Sequence, residues 1–184
     1  MNIRHWIADN IGYRFSGCFY AKAHDHIFNF IETKIPKEFL GKNISDLGCG
    51  DGSNALRIEK IFKTKSIVGY ERNIYNIERA KKKGLNVKEL DLNSKCPKGE
   101  LASFTFSLHH LEDKEKSLKR ARDNFDYIFL CEPCSDLYHR LLDAGSPLNK
   151  EDWIKLFDNV LGRYDLQQYR NNLIVFYKKD RLVR

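Results

Sequence analysis

The chain has 184 residues, 42% hydrophobic and 31% charged, which suits one globular domain with a full core and excludes a disordered polymer. No apolar run reaches the roughly 18 residues of a membrane-spanning helix, and "MNIRHWIADNIGY" lacks the basic head and continuous apolar core of a secretory signal. Lys and Arg outnumber Asp and Glu by 32 to 25, a net charge of +7 that favours anionic partners unless the lysines only solvate helix faces.

Helix-like and strand-like segments alternate along the chain. Residues 1–23 form an N-terminal extension rich in aromatics. Residues 24–35, "HDHIFNFIETKI", put Ile27, Phe28, Ile31 and Ile35 on one helical face, and Pro36 ends that segment. "NISDL" (43–47) is a short strand running into a glycine turn, and "SNALRIEKIF" (53–62) is the helix that follows. "SIVGYE" (66–71) is a strand; "NIYNIERAKKKG" (73–84) is a helix closed by Gly84, with three lysines in its last turn. "LNVKEL" (85–90) and "LASFTFS" (101–107) are strands, "KEKSLKRARDNF" (114–125) a helix, and "DYIFLC" (126–131) an apolar strand buried on both faces. Helices follow at 136–145 and 150–162, the second capped by Asn149, before "RYDLQQY" and "NLIVFYKK" close the chain as a hairpin. This order predicts a single α/β domain over residues 1–184. Five strands in crossover units precede a terminal antiparallel hairpin.

"DLGCGDG" packs Gly48, Gly50 and Gly52 between a strand and a helix, the scaffold of a nucleotide site at the carboxyl edge of an open sheet. The spacing is G-x-G-x-G; the dinucleotide fingerprint needs a third glycine where Ser53 stands, and no Gly-Lys-Ser/Thr phosphate loop exists. Asp46 and Asp51 flank the glycines. Carboxylates repel a pyrophosphate but welcome a cation, and S-adenosylmethionine carries a sulfonium and an ammonium with no phosphate.

"DLGCGDG" resembles motif I of the class I S-adenosylmethionine-dependent methyltransferases. Glu71, closing the second strand, stands where that family uses an acidic residue on the ribose hydroxyls. Asp91 and Leu92 stand where it reads the adenine. "SLHHLED" (107–113) and "YIFLCEP" resemble the fourth-strand loop and fifth strand of its small-molecule type 11 branch. The resemblance covers about residues 40 to 135, and the final hairpin fits the family's reversed last strand. It implies a doubly wound, Rossmann-like, three-layer αβα fold with a seven-stranded sheet. It also implies a cofactor site of Asp46, Gly48, Cys49, Gly50, Asp51, Gly52, Glu71, Arg72, Asp91, Leu92 and Ser107. The extension at 1–23, by the same likeness, is a lid over the substrate or packs on the sheet.

His109 and His110 follow the fourth strand; either could take a proton from a substrate during methyl transfer, or only shape the pocket. Tyr13, Tyr20, His110 and Glu132 are candidates to face the substrate. Cys131-x-x-Cys134 has the form of a redox or zinc pair, but no thioredoxin pattern surrounds it and a zinc site needs more ligands, so no metal is expected. The five cysteines, an odd number, point to reduced thiols in the cytoplasm. The expected function is S-adenosylmethionine-dependent methylation of a small molecule. An RNA methyltransferase using the basic surface, a non-catalytic cofactor-binding protein and an NAD-linked dehydrogenase are the alternatives.

Overall fold

The computed structural model describes residues 25–136 and 145–180. The whole extension at 1–23, with Tyr13 and Tyr20, and all but the ends of the helix expected over 136–145, lie outside the described residues.

Seven strands form one sheet: β1 (Ile44–Leu47), β2 (Ile67–Glu71), β3 (Asn86–Glu89), β4 (Gly99–Thr105), β5 (Phe125–Pro133), β6 (Asp165–Tyr169) and β7 (Asn172–Lys178). Their order is β3-β2-β1-β4-β5-β7-β6. The first five run parallel, and β7 is antiparallel to both β5 and β6. The expected seven-stranded sheet with a closing hairpin is thus present. Among the described residues the α-helices are α1 (residues 25–32), α2 (Ser53–Ile61), α3 (Ile74–Lys82), α4 (Lys114–Asn124) and α5 (Lys150–Leu161).

Alternation along the strands makes two cores. Ile44, Leu101, Phe129 and Ile174 face α1, α2 and α3, where Ile31 and Ile58 are buried. Leu47, Phe104, Leu130 and Val175 face α4 and α5, where Leu118 and Phe157 are buried. The inner strands β1, β4, β5 and β7 are therefore apolar on both faces, as a sheet between two helical layers requires.

Local chemistry sets the boundaries. Asn73, Asp113 and Asn149 each accept a backbone N–H three residues on, capping α3, α4 and α5. Gly84, at φ 88°, ends α3: its N–H reaches Lys81 and the Leu85 N–H reaches Ala80, a Schellman pair only a left-handed residue allows. Helix α4 stops one residue earlier than its periodicity suggests. Phe125 is extended at φ −129° and buries its ring over Gly99, where a Cβ would lie 2.7 Å from Phe125 Cε1. Strand β4 ends at Thr105, not Ser107, because Phe106 adopts φ 56°.

Two contacts fix the end of β5. Trp153 of α5, fully buried, donates its indole N–H to the Pro133 carbonyl at 2.9 Å. The hairpin turn reaches the next loop through Asn171, whose side-chain amide donates to the Cys134 carbonyl at 2.7 Å and to Asp136 at 2.9 Å. Trp153→Ala removes a buried indole and orphans the Pro133 carbonyl, so urea denaturation should read a loss of about 3–5 kcal/mol. A loss under about 1 kcal/mol contradicts this anchor.

Candidate active site

β1 lies between β2 and β4, where the winding of the sheet reverses. The glycine turn leaves β1 at that point, on the carboxyl edge. The turn spends its own donors. The N–H groups of Gly48 and Cys49 reach the Tyr70 carbonyl at 2.8 and 3.1 Å. Gly50 donates to Glu71 Oε2 at 2.9 Å, Gly52 to the Cys49 carbonyl at 3.0 Å, and Ser53 to Asp51 Oδ1 at 3.1 Å. A phosphate cradle needs such groups aimed at the ligand. Here five of them are turned inward.

Gly48 and Gly50 have different reasons to be glycine. Both are left-handed, at φ 79° and 54°. A Cβ on Gly48 would come within 2.7 Å of Ser107 Cβ, whereas one on Gly50 meets no atom within 4 Å. Gly48 therefore lets β1 and the loop after β4 touch, and Ser107 Oγ seals that contact by donating to the Leu47 carbonyl at 2.6 Å. Gly50 borders open space. Cys49 packs inward over Gly69, where a Cβ would lie 2.6 Å from its sulfur.

Glu71 closes β2. Its Oε2 accepts from Gly50, and its Oε1 accepts from the Arg72 and Asn73 N–H groups at 2.9 Å each. The carboxylate is aimed by backbone alone. Arg72, beside it, is exposed. Leu92 is buried, and its Cδ1 lies 3.9 Å from the Cβ position of Gly48. Asp91 is exposed and closes a turn by accepting from Asn93 N–H at 3.0 Å. Asn93 Oδ1 in turn accepts from Glu112 N–H, joining this turn to the 107–113 segment.

The two aspartates flanking the glycines differ. Asp51 faces α3, where Lys83 Nζ stands at 2.7 Å and Arg79 at 3.2 Å. Burial alone would raise its pKa; the hydrogen bonds from Lys83 and Ser53 outweigh that and lower it. Asp46 is 2% exposed, beside Gly69 on β2 and Ser103 on β4. Burial pushes its pKa up to about 7, against a hydrogen bond from Ser103, and the Glu71 carboxylate adds to the rise. Asp46 is thus a buried carboxyl beneath the turn, compensated only in part by Ser103.

A second buried carboxylate governs the far side. Glu132, fully buried, accepts from Ser107 N–H at 3.0 Å and Leu108 N–H at 2.8 Å through Oε1. Its Oε2 lies 2.6 Å from His109 Nδ1 and 3.4 Å from the His109 N–H. The left-handed turn at Phe106 aims those three N–H groups at it. Glu132, expected to face the substrate, has both oxygens engaged inside the protein. His109 is 2% exposed, and its ring lies 4.1 Å from that of the half-buried His110.

Sequence reasoning missed the roles of Phe106 and Ser103. No local pattern marks a left-handed phenylalanine; Ser103 was hidden in an apolar strand. Cys131 and Cys134 are separate free thiols. Among the described residues no three His, Cys, Asp or Glu side chains converge as a metal site, and no helix is long and apolar enough to cross a membrane.

A carboxylate at the end of β2, a turn with no free phosphate cradle and a reversed last strand together define the Rossmann-like class of S-adenosylmethionine-dependent methyltransferases. A family profile described as a methyltransferase domain matches residues 19–169, and the chain belongs to that family. It is an S-adenosylmethionine-dependent methyltransferase. Its fold is similar to a possible histamine N-methyltransferase from Thermotoga maritima, at TM-score 0.71 and 14% identity over 95% of this chain and 99% of that one. The magnesium protoporphyrin IX methyltransferase of Synechocystis, solved with S-adenosylhomocysteine bound, gives TM-score 0.69 and 14% identity over 97% and 99%. A Haloferax volcanii structure, a complex of the Trm112 methyltransferase activator with a putative methyltransferase, gives 0.73 and 9% over 98% and 99%. No curated protein matches the sequence.

The Asp46 shift has a definite sign. Between about pH 4 and 7 the folded protein holds a proton the unfolded chain has lost, so this group's contribution falls as pH rises through that window. Above it, the shift amounts to about 4 kcal/mol of lost stability. Asp46→Asn, neutral throughout, should therefore gain on the parent from pH 5 to pH 8 in denaturation experiments. A pH-independent difference contradicts the assignment.

Proposed function

We propose that the protein methylates a small molecule, with the cofactor held along the carboxyl edge from the glycine turn to Leu92. The observation that carries this reading is the Glu71 carboxylate, fixed by three backbone N–H groups beside a turn whose own donors are spent. An acceptor carboxylate so placed suits a ribose diol and a cation and does not suit a pyrophosphate, which disfavours a dehydrogenase.

When bound, S-adenosylmethionine supplies a methyl group on a sulfonium, transferred in line to a nucleophile. Positioning carries much of such a reaction. Glu71 would hold the ribose, Leu92 and Arg72 would border the adenine, and Asp91 would meet its amino group. Gly50 leaves the room the open space beside it offers. Asp46 places a buried carboxyl beneath the methionine end, and Asp51 orders the turn through Lys83 and Arg79. His110, the more accessible of the two histidines, receives a proton from the substrate.

We read residues 1–184 as one domain, with Tyr13 and Tyr20 of the 1–23 extension covering the substrate. The four described cysteines are free thiols, which supports a cytoplasmic protein. The small-molecule assignment rests on the likeness to the type 11 branch. RNA is the second reading, favoured by the net charge of +7; it requires RNA binding that weakens steeply with salt.

Calorimetric titration with S-adenosylhomocysteine tests the site. The parent protein binds, and Glu71→Ala binds roughly 10- to 100-fold more weakly, as expected for lost hydrogen bonds to a charged group. No binding by the parent overturns the cofactor site; unchanged affinity in the variant overturns the ribose assignment.

A further inference from the structure

Glu132 interrupts an otherwise apolar strand, and burying a carboxylate is costly unless donors surround it. Four donors do: the N–H groups of Ser107, Leu108 and His109, and His109 Nδ1. Those N–H groups open the 3-10 turn Leu108–His110, and they converge because Phe106 is left-handed. A left-handed phenylalanine is held against its own preference, so the surroundings must enforce it.

The short 2.6 Å contact orients the imidazole. A carboxylate is an acceptor only, so the ring proton lies on Nδ1. The opposite edge of the ring lies against residue 145: a Cβ there would come within 2.2 Å of His109 Cδ2 and 3.0 Å of both His109 Nε2 and His110 Nδ1. Ser146 N–H also donates to the His109 carbonyl at 3.0 Å. His109 is thus clamped on two sides, and the His110 ring rests on it. Lys114 is a nearby cation. It donates to the Leu111 carbonyl and Ser146 Oγ, and burial lowers its pKa while the charges of Glu132 and Asp113 oppose that.

We propose that Glu132 is a positioning residue: it locks His109 with its proton on Nδ1 and, through the tilted contact of the two rings, sets the orientation of His110 at the edge of the site. This rests on the reading of His110 as the substrate's proton acceptor. It makes the buried pair the support of the rim histidine, in the way a carboxylate orients a catalytic imidazole.

The test is long-range nitrogen–proton NMR of histidine-labelled protein, with no substrate. In the wild type, His109 Nδ1 is protonated from pH 6 to 9. In Glu132→Gln, the amide can keep Ser107 and Leu108 as donors yet offers His109 an N–H, so the ring proton moves to Nε2 and the His110 ring resonances shift. His109→Asn, which can still donate to Glu132 but removes the ring, shifts His110 as well. An unprotonated Nδ1 in the wild type overturns the proposal without any variant. So does a His110 signal unmoved in His109→Asn, or in a folded Glu132→Gln. Titration of the wild type with S-adenosylhomocysteine reports separately on the methyltransferase reading, so the two can fail independently.

Discussion

Three backbone N–H groups converge on the carboxylate of Glu71, and the rest of the sheet's carboxyl edge around the glycine turn depends on that arrangement. One donor, from Gly50, belongs to the turn after β1; the other two belong to the step from β2 into α3. The carboxylate therefore ties two neighbouring loops while remaining aimed along the sheet edge. The Tyr70 carbonyl reinforces the tie by taking the next two donors of the turn. A loop committed in this way cannot cradle a phosphate. The glycines that resemble a phosphate loop serve close backbone approach instead, most clearly where Gly48 meets Ser107.

The same logic recurs on the other side of β1. There the carboxylate is Glu132, and it gathers the N–H groups of the loop after β4. Two buried or half-buried carboxylates thus shape two loops through backbone donors, one on each side of the topological switch. Asp46 stands between them on β1, where a hydrogen bond from Ser103 offsets only part of its burial. A carboxyl in that position costs stability near neutral pH.

Much of this was legible in the sequence. The succession of parallel strands and the closing hairpin followed from alternating segments, and the caps at Asn149 and Gly84 announced themselves by residue type. The glycine turn and Glu71 were readable because their chemistry is local: a strand end, a spacing and a charge. Glu132 was not. Its position after a continuous apolar run showed that something polar sits at the strand's end, but its partners lie 23 to 25 residues away. They depend on the conformation of Phe106, which no propensity favours. Strand β4 was overextended for the same reason. The split between Asp46 and Asp51 was also invisible, since Lys83 and Arg79 reach Asp51 only after α3 folds back beside the turn.

The most direct test of the central claim is a crystal structure with S-adenosylhomocysteine bound. The account predicts both ribose hydroxyls within about 3 Å of the Glu71 carboxylate, with that carboxylate still accepting from Gly50. A ligand whose ribose lies away from Glu71, or a turn that releases its N–H groups to meet the ligand, would contradict it.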